Sequence, residues 1–464
     1  MHRREWLAMR HLIIGAGPAA QAAVETIRAL DGDAPIDLVC DEPAYARMAL
    51  PYYIGGTIQE EALMTADAAW FDSLGVTTHF GKRAARLARD HDRVILDDGG
   101  QLDFDRLLVA TGSRPYVPKI PGADGPGAIP MWTLADARAF LAAEHREVVV
   151  VGAGFIAFTI LDGVAERAET VSFVEVESQI LPRMLDARAA ARFAGFLAEG
   201  GIASHTGTGV EAIEPEGTRR RVVLSDGRSL ACDLVVLATG ARPNVEFLSG
   251  SGVDVETGIV VDARMATSRA NVFAAGDVAA GPDLLGGPNR VQAIQPTATD
   301  HGRIAGANMV GPAGGLDVEY AGSLTMNILS ARGIEAASFG FWEREDDVIR
   351  VESVGSVYRK YVFDGDRLVG GILVGPTGVV SGVNDVGMLK GLIQTGVSIG
   401  PWRSYLEQNP LDLRRAFMAS GAAQQLLRSN LFAGRASSGG GYREAGLPPR
   451  RPRSKHHETL VQGL

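Results

Sequence analysis

The chain has 464 residues, of which 46% are hydrophobic, and its formal net charge is −10 at pH 7. This length predicts about three domains with buried cores. The acidic balance argues against a nucleic-acid-binding protein, because phosphate binding requires a basic surface. No stretch is long and apolar enough to span a bilayer as a helix, so no membrane partner is expected.

The two cysteines, Cys40 and Cys232, lie far apart in the sequence and form neither a CxxC motif nor a metal-ligand cluster. So low a cysteine content is typical of a reducing compartment. We therefore expect two small buried hydrophobic side chains, no metal site and a cytoplasmic location.

A glycine-rich segment near the N-terminus joins the apolar run Leu12–Ile14 to a stretch with helical spacing through Gly15-x-Gly17-x-x-Ala20. The order strand, tight turn, helix is typical of a dinucleotide-binding unit. The first glycine makes the turn, the second lets a pyrophosphate approach the backbone, and the small third residue lets helix and strand pack closely. The helix N-terminus adds free N–H groups and the positive end of a dipole.

The same pattern occurs a second time, with a glycine turn at residues 152–157 after another apolar strand. Each copy continues into a predicted strand that ends in acid, Asp41-Glu42 in the first and Glu175 in the second. Such an acid is placed to bind a ribose hydroxyl. Each copy then ends in an Ala-Thr-Gly segment, Ala110–Gly112 in the first and Ala238–Gly240 in the second. This repetition predicts an internal duplication with two nucleotide sites.

A further strand ends in Gly276-Asp277, and a helix is predicted from about Thr297 to Met309. Asp277 is placed to accept a hydrogen bond from a polyol hydroxyl. After Gly311 the pattern changes to alternating strands and then to two predicted helices, at residues 387–399 and 402–419.

The sequence thus predicts an α/β protein with two Rossmann-like dinucleotide-binding domains and a small C-terminal α+β domain. The first of these domains is expected to be discontinuous, from residues 9–115 and 245–312, and to be interrupted by the second at 116–244. The C-terminal interface domain would span 313–430, and the Gly-, Ser-, Pro- and Arg-rich segment 431–464 is typical of a disordered tail.

Taken together, the two glycine turns, the two Ala-Thr-Gly segments and Ala275-Gly276-Asp277 resemble the two-dinucleotide-binding-domain flavoproteins of the pyridine nucleotide-disulfide oxidoreductase superfamily. Asp41–Pro43, Tyr45-x-Arg47 and Leu50-Pro51 look closest to the NADH:rubredoxin reductases and to the flavin part of the large subunit of NADH-dependent nitrite reductase. The resemblance covers roughly residues 10 to 420. It implies FAD on the first unit, NAD(P)H on the second, and a C-terminal domain that often mediates dimerisation.

The resemblance also implies site residues. Those that would hold FAD, with either Glu42 or Asp41 on the adenosine ribose and the helix start near Thr297 facing the flavin, are Gly15, Gly17, Pro18, Ala20, Asp41, Glu42, Arg47, Thr111, Gly112, Gly276, Asp277 and Thr297. Those that would hold the nicotinamide nucleotide are Gly152, Gly154, Ala157, Glu175 and Gly240. Glu175 and Glu177 favour NADH over NADPH, because a 2′-phosphate would meet carboxylates there.

Two positions depart from the related proteins. Met48 lies where coenzyme A disulfide reductases carry their nucleophilic cysteine, and a thioether forms neither a thiolate nor a mixed disulfide. Thr159 lies where the family usually has a glutamate beside nicotinamide and flavin. We therefore expect flavin chemistry without a redox-active disulfide and without a catalytic side chain.

The resulting prediction is an oxidoreductase for electron transfer that takes a hydride from NADH to flavin N5 and passes electrons to a small redox protein of the rubredoxin or ferredoxin type. Two alternatives remain open at this point. One is an NADH oxidase that forms hydrogen peroxide, and the other is an FAD-bearing subunit or sensor with impaired NADH use, motivated by Thr159. A partner subunit and a homodimer also remain open.

Overall fold

The computed structural model describes residues 9–311, 317–352, 357–380 and 384–428, so the predicted tail at 431–464 lies outside the described residues. Its first sheet is parallel, and the strand that enters the first glycine turn lies in the middle and is buried along its whole length. Such continuous burial is typical of parallel sheets. The strands of this sheet follow the order Val272–Ala274, Arg106–Val109, His11–Ile14, Ile36–Cys40 and Val76–Phe80.

The second sheet repeats the arrangement of the first. Its strand before the glycine turn is also central, with the strand that ends in Glu175 on one side and the strand that leads to Ala-Thr-Gly on the other. The order is Ala128–Pro130, Leu234–Leu237, Glu147–Val151, Thr170–Glu175 and Ala203–Thr206, all parallel. The duplication predicted from the motifs is therefore a duplication of sheet topology.

Each parallel sheet carries a three-stranded antiparallel meander inserted ahead of its Ala-Thr-Gly strand. The strands of the two meanders are Ala84–Leu87, Arg93–Leu96 and Gln101–Asp103, and Val210–Glu216, Arg219–Leu224 and Ser229–Cys232. The C-terminal region forms an antiparallel sheet in the order Met326–Ala331, Ile334–Gly340, Arg367–Pro376, Tyr358–Asp364 and Val348–Glu352. Further short strands are Ala44–Tyr45, Met64–Ala66, Ile259–Val260, Ala279–Gly281 and Arg290–Val291.

The two connections between the first and second units pair with each other. Ser113–Pro115 and Ala241–Pro243 form a two-stranded antiparallel ladder. At its end the Thr111 hydroxyl donates to the Asn244 carbonyl at 2.8 Å, and the Asn244 amide donates to the Thr111 carbonyl at 2.9 Å. The two chain segments that connect the second unit to the first therefore lie side by side and are hydrogen-bonded to each other.

The helices pack against these sheets. In the described part of the chain they are α1 (Pro18–Leu30), α2 (Leu50–Ile54), α3 (Ala68–Ser73), α4 (Leu134–Ala142), α5 (Phe155–Thr159), α6 (Leu161–Ala165), α7 (Ala187–Glu199), α8 (Gln295–Val310), α9 (Asp385–Thr395), α10 (Trp402–Gln408), α11 (Leu413–Ala419) and α12 (Ala422–Arg428). Across the same residues, every helix is too short or too polar to cross a membrane.

Sequence reasoning misplaced some of these elements. The predicted helix at 402–419 is broken into α10 and α11, because Pro410 cannot donate a backbone hydrogen bond and disfavours helical geometry at Asn409. The helix predicted from about Thr297 to Met309 is confirmed as α8, which spans Gln295–Val310. The domain boundaries themselves remain a prediction.

The helices α1 and α8 approach each other closely through glycine. A Cβ atom on Gly302 would lie 2.1 Å from the Ala19 carbonyl oxygen, and one on Gly306 would lie 2.8 Å from the Ala23 carbonyl oxygen. A side chain at either position would push α8 away from the first sheet. This contact brings the start of α8 close to the first glycine turn.

We predict that Gly302→Ala destabilises the protein by about 1–3 kcal/mol, since the new methyl group would overpack the α1–α8 contact. Gly195→Ala is the matched control, because Gly195 is also in a helix but has no atom within 4 Å of its would-be Cβ. There we expect a gain of about 0.5–1 kcal/mol from helix propensity. Thermal unfolding of both FAD-bound variants checks this, and equal shifts of the same sign would contradict it.

Candidate active site

A cavity of about 2320 Å³ is lined by both glycine turns. It is larger than a usual small-molecule pocket of roughly 300–1,000 Å³, as expected for a space shared by two dinucleotides. Most of the predicted binding residues lie on its wall: Gly15, Gly17, Pro18, Asp41, Glu42, Arg47, Thr111, Gly112, Gly152, Gly154, Glu175, Gly240, Gly276 and Asp277. The structure thus joins the two predicted nucleotide sites in one space.

Three predicted residues lie behind this wall. Ala20 and Ala157 are fully buried, and Thr297 is 4% exposed. None of the three lines the cavity. Ala20 and Ala157 pack closely in α1 and α5, and their part in binding a nucleotide remains a prediction. At the start of α8 the wall is formed by residues 293–296 and by Ala298.

The first glycine turn leaves room for a ligand on one side and none on the other. Gly15 has φ +113°, and a Cβ there would lie 2.2 Å from the Ala110 carbonyl oxygen. Gly17, which precedes α1, has no atom within 4 Å of a would-be Cβ, and no side chain caps the helix. The first N–H groups of α1 are therefore open to a phosphate, and the turn fits the pyrophosphate of FAD.

The second turn has the same geometry. Gly152 has φ +96°, and its Cβ would lie 2.6 Å from the Ala238 carbonyl oxygen, while Gly154 borders open space. Glu175 is 8% exposed and holds the turn in place, since its carboxylate accepts hydrogen bonds from the Ala153 N–H at 2.7 Å and the Glu177 N–H at 3.0 Å. The acid predicted to bind ribose thus also orders the turn, and the turn fits a nicotinamide dinucleotide.

The two acids of the first unit are both paired with arginines. Asp41 accepts from Arg83 Nε at 2.8 Å. Glu42 accepts from Arg47 Nη2 and from the Tyr45 hydroxyl, each at 3.0 Å. The adenosine ribose of FAD is still predicted to bind either Asp41 or Glu42.

Arg47 lies at the centre of a cluster that sequence reasoning missed in part. It donates to the Ser113 carbonyl at 3.0 Å, and the Trp132 indole donates to the same oxygen at 2.7 Å. The guanidinium lies 5.3 Å from the Trp132 ring centroid and 5.7 Å from that of Tyr45. Ser113 has a local signal in the sequence that could have marked it as a site residue, because it directly follows Ala-Thr-Gly. Trp132 has none, because it comes from the connection to another sheet.

Asp277 completes this cluster. The Ser113 hydroxyl donates to its Oδ2 at 3.1 Å. Burial raises the pKa of the Asp277 carboxyl, while the Ser113 hydrogen bond and the charge of Arg47 oppose that rise. A partly buried carboxylate requires hydrogen-bond donors, and the hydroxyls of a ribityl chain would supply them.

The two departures noted in the sequence both lie on the cavity wall. Met48 is 61% exposed. The Thr159 hydroxyl donates to the Ile156 carbonyl at 2.8 Å, and the helix is interrupted directly after it, between α5 and α6. Such back-bonding by threonine bends helices.

Neither cysteine has the environment of a redox-active thiol. Cys40 borders the cavity and is 6% exposed, whereas Cys232 lies away from its wall and is fully buried. Burial raises the pKa of each thiol to about 12. Both groups therefore stay protonated at neutral pH, and the thiolate is the nucleophilic form.

Two dinucleotide-binding units around one cavity define a nucleotide-dependent flavoprotein oxidoreductase. The chain belongs to the pyridine nucleotide-disulphide oxidoreductase family, whose sequence pattern matches residues 9–302. The cofactors of this family are FAD and NAD(P)H, and the protein is an FAD-dependent NAD(P)H oxidoreductase.

Known proteins resemble it over most of its length. It is 32% identical over 420 residues to the NADH-dependent phenylglyoxylate dehydrogenase subunit epsilon of Aromatoleum evansii, covering 88% of this chain and 97% of the relative. It is 34% identical over 310 residues to the anthranilate 1,2-dioxygenase system ferredoxin–NAD(+) reductase component of Burkholderia cepacia, covering 65% and 75%. The ferredoxin reductase for the CYP199A2 system from Rhodopseudomonas palustris matches with a TM-score of 0.77 and 25% identity, over 88% of this chain and 99% of that one.

We predict that valine at the second glycine of each turn removes one nucleotide selectively. Gly154→Val should retain FAD but raise the dissociation constant for NAD⁺ by more than about tenfold, or about 1.4 kcal/mol. Gly17→Val should instead purify without FAD. Both backbones are extended and accept valine, so the fold should remain. Visible spectra and calorimetric titration check this, and loss of FAD from Gly154→Val would contradict it.

We also predict that the thiols are dispensable. With both pKa values raised to about 12, almost no thiolate exists at neutral pH, and iodoacetamide should leave the activity of the native protein unchanged. The Cys40→Ala/Cys232→Ala variant should retain NADH-dependent reduction of ferricyanide. Rapid inactivation by iodoacetamide that the double variant resists would show that a thiol takes part.

Proposed function

We propose that the protein transfers electrons from NADH, by way of FAD, to a small iron–sulfur redox protein of the ferredoxin or rubredoxin type, either free or held as a partner subunit. The observation that carries the proposal is the single cavity shared by both glycine turns. FAD bound there would accept a hydride at N5 and return electrons to an acceptor. The polypeptide contributes binding, orientation and exclusion of side reactions.

The residues around the cavity have distinct parts in this proposal. Gly17 and Gly154 admit the two pyrophosphates, and Glu175 fixes the second turn through Ala153. Asp277 would bind the ribityl chain, with its orientation set by Ser113. Hydride transfer to flavin N5 does not itself require a side chain to move a proton.

The choice of acceptor is supported by what the chain lacks and by its relatives. Met48 and the two protonated thiols offer no dithiol relay, so electrons would leave FAD directly. Two of the relatives described above are ferredoxin reductases. The relative matched over 97% of its length is a subunit of an NADH-dependent dehydrogenase, which supports a partner subunit as acceptor.

NADH is proposed as the donor over NADPH. Glu177 is exposed on the cavity wall directly after the strand Thr170–Glu175. A carboxylate at this place would repel a 2′-phosphate, whereas NADPH sites commonly use arginine. The two unpaired cysteines support a reducing compartment such as the cytoplasm.

The test is an anaerobic titration followed by turnover. About one equivalent of NADH should bleach the flavin absorbance. The apparent affinity for NADPH in this reduction should be at least about tenfold lower than that for NADH. Glu177→Arg should make the two affinities more similar. The reduced protein should then reduce a ferredoxin or rubredoxin faster than it reduces oxygen.

Three outcomes would contradict the proposal. Stoichiometric, catalase-sensitive peroxide formation that outpaces reduction of the redox protein would identify an NADH oxidase. A yellow protein that neither nucleotide reduces would identify a flavin subunit or sensor, and Thr159→Glu would then show whether a carboxylate at this position restores reduction. A colourless protein that cannot be reconstituted with FAD would show that the protein does not bind FAD.

A further inference from the structure

Part of the cavity wall is a short loop, Leu181–Met184, between the strand Thr170–Glu175 and α7. At its first end the Leu181 N–H donates to the Ala153 carbonyl at 2.8 Å, and the loop closes on itself through the Leu185 N–H and the Leu181 carbonyl at 3.0 Å. Leu181 has φ +49°, a left-handed conformation that leucine rarely adopts. Such a residue persists only where its surroundings hold it.

Asp186 fixes the other end of this loop. It is the N-cap of α7, and its Oδ1 accepts from the Ala189 N–H at 2.9 Å. Its Oδ2 accepts from the Tyr358 hydroxyl at 2.6 Å and lies 3.6 Å from Lys360 Nζ. Tyr358 and Lys360 belong to the C-terminal sheet, in the strand Tyr358–Asp364. The Asp186 carboxylate thus joins the loop and α7 to that sheet, alongside the apolar core that the two share.

The joint is buried and well supplied with partners. Tyr358 and Lys360 are both 0% exposed, and Lys360 also donates to Glu345 at 2.7 Å. Burial and the adjoining Asp186 raise the pKa of the Tyr358 phenol, so it remains a hydrogen-bond donor. Breaking such a joint costs more than breaking an exposed pair, because the Asp186 side chain left behind is only 15% exposed and water replaces the lost partner incompletely.

We infer that Asp186 and Tyr358 are positioning residues for the nicotinamide nucleotide. Neither lines the cavity. They act through the loop Leu181–Met184, whose left-handed residue and cavity wall depend on the anchor at Asp186. The C-terminal sheet thereby contributes to nucleotide affinity from outside the site, while the FAD site at the other turn is independent of it. The inference rests on the nicotinamide nucleotide site proposed above.

The experiment compares Tyr358→Phe with Tyr361→Phe. Tyr361 is in the same strand and equally buried, and its hydroxyl donates to the Pro410 carbonyl at 2.8 Å, so the control loses one buried hydrogen bond on the opposite face of the sheet. Binding of NAD⁺ to the oxidised, FAD-bound protein is measured by calorimetry, which requires neither turnover nor an acceptor. FAD content, kcat and the KM for NADH are measured in parallel.

Tyr358→Phe should weaken NAD⁺ binding about fivefold, as the loss of one buried hydrogen bond of about 1 kcal/mol predicts, and raise KM with kcat and FAD content unchanged. Tyr361→Phe should lower the unfolding temperature comparably and leave NAD⁺ binding unchanged. Equal NAD⁺ affinities in the two variants would overturn the inference while leaving the nucleotide site intact. Failure of the unsubstituted protein to bind NAD⁺ would overturn this inference and the proposed nicotinamide nucleotide site together.

Discussion

The structure depends on a close approach between neighbouring strands. In each unit a carbonyl oxygen at the end of the Ala-Thr-Gly strand, that of Ala110 or Ala238, occupies the place where a side chain of Gly15 or Gly152 would begin. This contact permits only glycine, and it turns the chain sharply out of the sheet. The turn then presents backbone N–H groups to the cavity. The direction in which the chain leaves the sheet and the start of the following helix both follow from that one steric condition.

The charged groups around the two glycine turns are held in place by contacts with other groups of the protein. Arg47, Ser113 and Asp277 form a chain of hydrogen bonds and charge interactions along one part of the wall. Glu175 is engaged by two backbone N–H groups at the other. Contacts within the protein therefore fix the orientation of these polar groups, and such preorganisation favours nucleotide binding.

The sequence was most informative where the physical cause is local. A glycine turn, its preceding strand and the acid about twenty residues later all lie on one short piece of chain, and their placement was predictable. Contacts between distant segments were not: Trp132 reaches Arg47 from another connection, and Gly302 is required only because α1 lies against it. The break at Pro410 does have a local cause, because a proline inside a helical stretch ends or kinks the helix before it.

The paired connections between the two units have a consequence for how such a chain can change. Because Ser113–Pro115 and Ala241–Pro243 run side by side, the segment between them begins and ends at nearly the same point. Its internal rearrangements, insertions or exchange for a homologous segment need not alter the distance that the flanking chain must span. The segment between the two connections can therefore change internally while the points at which it joins the first sheet's unit stay in place.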